Sequence, residues 1–402
     1  NSQPFDRKGY VGRADFNESS SSQWMGRYNW GDDTQSSQGI GLAGSKTVTN
    51  YKQWSGSNTR TISSTLVNDA RFGYTKFFNS IGTLSAFTND VVGGLKIPNL
   101  KSGDPVTWGI PSIAFTGFNG IGDITDGPFA VDNNTLQFVD KLTWLKGRHT
   151  IGMGAEYTRQ HFNEVGNQFS RGSFEFQANR TRNPVNNTGG YAFAEFLLGQ
   201  PFRTSVALAV AEVKFVRCVV HGFVDDSWRV TNNLTFLLGV RYELTPPFTN
   251  TLGNYFTVHI PTHDYSLNQP QPNYPTLARQ GDDCTDPYAG LSLRWTVTPV
   301  ACAKALGLNN NLRETKYKNF APRLGATYAL GDKTVIRTGA GLYYMEDIGN
   351  AEYFDMARIT TARVDTQAST TNLVTWANAA PGGGTAAVPT TLTWAAAYEH
   401  NT

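Results

Sequence analysis

The chain has 402 residues, of which 39% are hydrophobic, 12% aromatic and only 16% charged, and its formal net charge is +2. Soluble domains usually carry roughly 25% charged residues, and a net charge this close to zero gives no case for binding nucleic acid. No segment approaches the roughly 18 consecutive apolar residues of a transmembrane helix. The longest apolar region, 206–220, is interrupted by Glu212, Lys214 and Arg217.

Strand-length runs that alternate apolar and polar residues recur along the chain and predict antiparallel hairpins. In chain order, these hairpins lie at 9–30, 47–78, 135–159, 220–243 and 320–344. In the fourth, Leu238 and Val240 fall on one side of the strand and Arg241 on the other, because successive side chains face opposite ways. Each arm therefore has an apolar wall and a charged wall. The apolar wall would face a core in a soluble sandwich and lipid in an outer-membrane barrel.

The connections between hairpins are much longer than the turns inside them. The long connections cover about 79–133, 246–319 and 346–402. Weaker strands are expected near 172–177 and 204–214, and 191–198 suits either a short helix or a strand. A compact soluble domain rarely carries several long loops, whereas an outer-membrane barrel alternates short periplasmic turns with long extracellular loops. The pattern favours an all-β, antiparallel transmembrane barrel.

Aromatic residues lie near the predicted turns and strand ends, where a membrane barrel carries its interfacial girdles. Ordinary cross-strand pairing of aromatic residues explains the same positions. These residues are Trp24, Trp30, Trp144, Trp228, Tyr343 and Tyr344.

The chain has three cysteines and little that indicates catalysis. Cys284 and Cys302 lie in the same long connection, which allows a disulfide between them in an oxidising compartment, and Cys218 falls in a strand pattern. No CxxC pair, nucleophile elbow, phosphate-binding loop or dinucleotide fingerprint is present. The sequence therefore predicts no metal site, no cofactor and no enzymatic activity.

Five short segments, in order and spread over most of 8–345, resemble the barrel of Oar-like TonB-dependent receptors. They are Ser64–Tyr74, Trp144–Thr150, Phe223–Thr231, Leu238–Glu243 and Phe320–Gly325. The resemblance implies a roughly 22-stranded barrel filled by an N-terminal plug domain. It also implies that 1–402 is one partial barrel domain, about half of the strands with long extracellular loops, without the plug and the TonB-contacting segment.

The same resemblance implies a transporter of the bacterial outer membrane that takes up a ligand through its plugged barrel. Its partners would be outer-membrane lipid, the TonB complex through a missing N-terminal segment, and a small ligand, oligosaccharide or peptide. Two alternatives stay open. One is a passive porin or surface adhesin barrel, and the other is a secreted soluble β protein that binds or cleaves polysaccharide.

One set of charged residues on the polar walls has a functional interpretation in such a barrel. In a plugged barrel they would face the lumen, contact the plug and line the substrate route. The alternative is a solvated wall whose members only satisfy one another. The set is Arg13, Arg27, Arg71, Lys141, Glu156, Arg241, Glu243, Arg323 and Arg337.

Overall fold

The structure is a computed structural model that is built almost entirely of β-strands. It describes residues 4–39, 44–97, 100, 105–166, 169–207, 212–253, 255–259, 276–285, 300–346, 349, 363–367 and 386–387. No helix in these ranges is both long and apolar enough to cross a membrane.

The described strands fall into three sheets, and two short helices lie in the connections. The helices are α1 (Val91–Leu95) and α2 (Ala192–Leu197), and Pro105–Thr107 forms one 3-10 turn. The strands are β1 (Phe5–Ser19), β2 (Ser22–Gln38), β3 (Gly44–Ser63), β4 (Leu66–Thr83), β5 (Ser112–Phe115), β6 (Phe118–Ile121), β7 (Phe129–Lys146), β8 (His149–Gly166), β9 (Ser173–Phe176), β10 (Arg203–Ala207), β11 (Glu212–Arg229), β12 (Leu234–Leu244), β13 (Thr249–Asn250), β14 (Phe256–His259), β15 (Thr276–Arg279), β16 (Val300–Cys302), β17 (Phe320–Ala329), β18 (Val335–Gly341), β19 (Arg363–Gln367) and β20 (Ala386–Ala387).

The main sheet is an antiparallel meander. Its order is β1-β2-β3-β4-β7-β8-β11-β12-β17-β18, and β13 adds to β11. The five short-turn hairpins of this sheet cover the five segments with alternating sequence, but most of their strands are longer. For example, the β1–β2 ladder extends to the pair Phe5 and Gln35, where polar residues hide the alternation. Backbone pairing needs no particular side chain there, so the ladder continues beyond the pattern.

The long connections contain short elements of secondary structure. The connection after β4 contains α1, β5 and β6, and the one after β12 contains β13 to β16. The segment at 191–198 is helical in α2, and the weak strands are β9, β10 and the first residues of β11. Most of 346–402 lies outside the described residues.

A second sheet, with order β20-β19-β10-β9-β5-β6, packs with α2 into a small unit that we call the cap. The cap core is aromatic, with Phe115 and Phe176 at 5.8 Å and Phe174 fully buried. Asp123 anchors the cap to the main sheet by accepting a 2.7 Å hydrogen bond from Thr83 Oγ1 at the end of β4. Arg171 lies 3.2 Å from the same carboxylate, and both side chains are only 3% exposed. Burial lowers the pKa of the Arg171 guanidinium, and the neighbouring Asp123 opposes that shift.

The strand register divides the main sheet into two faces. Direct neighbours share a face, so Phe72, Phe138, Tyr157 and Val220 form one continuous row. These side chains are exposed: Phe72 by 38%, Phe138 by 47% and Val220 by 43%. We call this side the apolar face and its opposite the charged face. Soluble monomers rarely expose an apolar surface that crosses a whole sheet, so this face needs a lipid environment.

Successive hairpins are displaced along the sheet in one direction. Ser22 pairs with Arg60, yet the β3–β4 turn comes only at Ser63–Leu66. Leu66 in turn pairs with Trp144, and the β7–β8 turn follows at Lys146. This stagger tilts the strands relative to the line of turns, as the wall of a barrel requires.

Replacing Phe138 by Arg tests the lipid exposure of the apolar face. Phe138→Arg should lower the free energy of unfolding in lipid vesicles by about 2–4 kcal/mol, because a cation at mid-depth must be taken into hydrocarbon. The matched control is Thr135→Arg on the charged face of the same strand. Urea titrations that show an equal loss for both variants would contradict the assignment of faces.

Replacing Asp123 by Asn tests the anchor of the cap. Asp123→Asn leaves Arg171 buried without its counter-charge, which should cost the cap about 3–5 kcal/mol of local stability. The control Glu175→Gln removes the more exposed pair with Arg203 in the same sheet and should cost less than about 1 kcal/mol. Hydrogen exchange of the cap amides reports both values, and equal protection in the two variants would rule out the anchor.

Candidate functional site

The register places every member of the predicted charged set on the charged face. Arg13 is the direct partner of Arg27, and Arg71 reaches Glu156 through Val139. Glu156 is in register with His221 and then with Glu243. The members on one face are therefore Arg13, Arg27, Arg71, Lys141, Glu156, Arg241, Glu243, Arg323 and Arg337. Whether this face borders a lumen, a plug or a substrate remains a prediction.

Some of these residues meet others that the sequence did not suggest, in a network that we call the charge cluster. It joins β8, β11 and β12 to the segment that follows β18. Its members are Glu156, Arg217, His221, Arg241, Glu243 and Glu346.

Glu156 forms the first half of the charge cluster. Its carboxylate accepts a 2.7 Å hydrogen bond from Gln137 Nε2 and lies 3.1 Å from Arg241 Nη2. Arg241 also contacts Glu243, with Nε 3.1 Å from Oε1. His221 Nδ1 lies 3.8 Å from Glu156 Oε2. Arg241 is therefore held between Glu243 on its own strand and Glu156 on β8, across β11.

Glu346 forms the second half. One of its oxygens lies 3.2 Å from Arg217 Nη2 and the other 3.5 Å from His221 Nε2. Arg217 also donates a 2.5 Å hydrogen bond to Gln160 Oε1 and stacks 4.1 Å from the ring centroid of Phe248. Glu346 thus holds the segment after β18 against the middle of the sheet.

Two members of the charge cluster are buried, although they lie on the charged wall of the sheet. Arg217 and His221 are each only 6% exposed. Buried charges persist where opposite charges and hydrogen bonds replace water, and here Glu346, Gln160 and Phe248 supply these contacts. The charged face is consequently covered by polypeptide at Arg217 and His221.

An aromatic cluster borders the charge cluster on the side of the long connections. Phe215, which lies two positions before Arg217 on the same face, contacts Phe248 at 5.7 Å, Tyr255 at 5.5 Å and Phe162 at 6.3 Å. A Cβ at Gly349 would collide with the Phe162 ring, so glycine permits the close approach of the segment after β18. Apolar packing and ion pairs therefore hold the same segment.

A shallow cavity of about 680 Å³ lies toward the short-turn end of the sheet. Its charged-face lining includes Asp225, Arg241 and Arg323, and glycines such as Gly239 and Gly325 leave the backbone uncovered. A ligand or another polypeptide segment that carries both charges could approach the sheet closely there.

The remaining predicted residues pair locally and do not join the charge cluster. Arg13 bonds Asp15 at 2.8 Å, Arg71 bonds Asp69 at 2.7 Å, and Arg27 donates to Asn29 at 3.0 Å, each along its own strand. Arg323 stacks on Tyr343 at 4.8 Å. Lys141 and Arg337 lie on the same face near Asp69 and Thr327. This local pairing agrees with a solvated wall for these members.

Sequence reasoning missed Arg217, His221 and Glu346. The alternation that defines the fourth hairpin begins at Val220, whereas strand β11 begins at Glu212. Arg217 lies four positions before His221, so the two-residue alternation of a strand places both side chains on the charged face. Glu346 follows the last regular strand, and no periodicity points to it.

The cysteine region lies apart from the charge cluster. Cys284 and Cys302 form a disulfide with a Cα–Cα distance of 4.5 Å, and Cys218 is a free, exposed residue 3.4 Å from the Tyr157 hydroxyl. Hydrogen bonds from Thr285 lower the pKa of the nearby Asp283 carboxyl. Among the described residues, no group of three or more potential ligands could hold a metal ion.

The entire chain, residues 1–402, matches the family model for the outer membrane beta barrel domain. The chain belongs to this family, and its place is the bacterial outer membrane. The soluble alternative is thereby set aside, and the apolar face is the lipid-facing side of the wall.

Comparison with solved structures gives low sequence identities. The ferric-catecholate import receptor Fiu from Escherichia coli K12 is 10% identical, with 91% of this chain and 48% of that chain covered and a TM-score of 0.40. The siderophore receptor PiuA from Acinetobacter baumannii is 11% identical, with 84% and 42% covered and a TM-score of 0.39. The outer membrane transporter YddB from Escherichia coli is 8% identical, with 83% and 39% covered and a TM-score of 0.39. The chain thus spans less than half the length of these proteins, and no curated protein matches its sequence.

A double-mutant cycle on Arg217 and Glu346 tests the charge cluster. Arg217→Met and Glu346→Gln should each destabilise the protein, and their coupling should be about 1–3 kcal/mol because the Arg217 guanidinium is buried against the Glu346 carboxylate. The measurement is urea unfolding in detergent micelles. Arg13→Met is the control, since its exposed pair with Asp15 should give no measurable change. Additive effects at Arg217 and Glu346 would contradict the cluster.

Proposed function

We propose that residues 1–402 form part of the barrel wall of an Oar-like TonB-dependent receptor. In this proposal, a ligand enters from the side of the long connections and passes a plug domain inside the barrel. The TonB complex drives the movement of that plug through an N-terminal segment. The role is transport, in keeping with the outer-membrane barrel family and with the lack of an enzymatic motif.

The observation that carries the proposal is the buried charge cluster on the charged face. A passive pore needs a charged wall open to water, and its charges would then be solvated. Here Glu346 and Phe248 contact Arg217, so polypeptide lies against the charged face at that level. A charged face that is partly covered by polypeptide supports a gated transporter over an open channel.

The exposed members of the charged set have a different role in this proposal. Arg13, Arg27 and Arg71 bond to residues two positions along their own strands, in pairs that solvent can reach. Exposed pairs contribute little to stability, so these side chains can exchange partners at low cost. We assign them to the plug surface or the ligand route, together with Lys141, Arg323 and Arg337. Glu156, Arg241 and Glu243 instead hold the wall.

The ligand belongs to the class of small polar molecules, which includes oligosaccharides, peptides and chelates. The cavity beside Asp225 and Arg323 offers both charges over exposed glycine backbone, which suits a polar molecule with mixed hydrogen-bonding groups. The alternative function is a passive porin or surface adhesin barrel.

Ion conductance of the product of the complete gene separates these functions. In a planar bilayer with potassium chloride, the plugged receptor should show no steady conductance, because the plug blocks the pore. A variant lacking the plug region should conduct and serves as the positive control. A steady ohmic current through the intact protein would overturn the proposal and support the passive porin.

A further inference from the structure

A basic patch lies on the apolar face, toward the long connections. Lys52 on β3 and Lys76 on β4 are direct cross-strand partners, and Lys76 continues in register through Asn134 to His161. Arg159 lies two positions before His161 on the same face of β8. We call Lys52, Lys76, Arg159 and His161 the basic patch.

The Lys52–Lys76 pair is unfavourable by itself. Like charges directly opposite one another on adjacent strands are destabilising. The only carboxylate paired with either lysine in the described ranges is Asp132, 3.5 Å from Lys76 and 45% exposed, and none pairs with Lys52. The position therefore calls for an anion from outside the chain.

Aromatic residues fix the level of this patch in the membrane. Trp54 lies between Tyr28 and Tyr74, with ring centroids at 5.2 and 5.5 Å. Trp54 and Tyr74 are two positions closer to the short turns than Lys52 and Lys76. The Tyr74 hydroxyl donates to Asn134 Oδ1 at 3.2 Å. Tyr and Trp collect where hydrocarbon meets headgroups, so the basic patch lies at headgroup level.

The spacing to the opposite rim agrees with this level. Leu66, Trp144 and Ile151 form a row near the short turns, ten positions along each strand from Lys76, Asn134 and His161. Ten residues of a strand tilted by about 40° rise roughly 25 Å, the height of the apolar band of a membrane barrel.

We propose that the basic patch binds the headgroup of a glycolipid with two phosphates in the leaflet on the side of the long connections. Lys52 and Lys76 would take one phosphate, and Arg159 the other, with His161 beside it as a hydrogen-bond donor. The two halves are separated by two strand spacings, about 10 Å, which suits phosphates at opposite ends of a sugar headgroup. A headgroup with a single phosphate would satisfy only one half.

Lipid binding to the purified full-length protein in neutral detergent tests the proposal. The probes are diphosphoryl lipid A, the same lipid without phosphates, and phosphatidylglycerol, with binding measured by native mass spectrometry. The diphosphoryl lipid should bind most tightly. The Lys52→Gln/Lys76→Gln variant should bind it at least about tenfold more weakly.

The control is Lys146→Gln, which removes a lysine from the same face at the short-turn rim, where Lys146 stacks on Trp144. It should leave lipid A binding unchanged. Thermal unfolding without lipid shows whether a variant has a folding defect. The melting temperature of Lys52→Gln should be no lower than that of the parent, because the substitution removes a like-charge repulsion. The proposal would be overturned if the phosphate-free lipid bound as tightly as diphosphoryl lipid A, or if the Lys146 variant lost as much binding as the Lys52/Lys76 variant. A lower melting temperature of Lys52→Gln without lipid would also overturn it.

Discussion

The strict two-residue alternation of a hydrogen-bonded strand is the constraint on which the rest of this structure depends. Once the ten strands of the main meander pair in their antiparallel order, each of their side chains is committed to one of two faces, and a slip by one residue would exchange them all. The row of Phe72, Phe138 and Tyr157 is thereby set against lipid, and the row of Arg71 and Glu156 lies on the opposite, charged face. Between the two edge strands β1 and β18, backbone groups that lipid could not satisfy are paired within the sheet.

The two faces of the main sheet have different surroundings and stabilise their side chains differently. The apolar face has little internal packing because lipid is its solvent, and its aromatic side chains stay exposed. The charged face must either keep its charges in water or pair them. Both solutions occur: Arg13 and Arg71 pair locally and remain exposed, whereas Arg217 and His221 are buried under Glu346 and Phe248. That difference separates a solvated part of the wall from an occluded part.

The sequence predicted the main sheet well and the connections poorly. The hairpins and their two faces follow from local alternation, which needs only neighbouring residues. The cap could not be predicted in this way, because β5 pairs in parallel with β9 across about sixty residues, and its strands are too short to show a period. For the charge cluster, alternation placed Glu156, Arg241 and Glu243 on the correct wall but could not bring Glu346 to Arg217, 129 positions earlier in the chain.

The sequence by itself determined where the five hairpins of the main sheet lie, which of their side chains share a face, and hence that one wall is apolar and the other charged. These properties depend on the pleat, whose period is built into every extended backbone. Only the tertiary structure decided which charges are buried together, that Lys52 stands opposite Lys76, and how the long connections fold. Those contacts depend on the register between strands and on segments far apart in the chain, and neither is encoded in a local pattern.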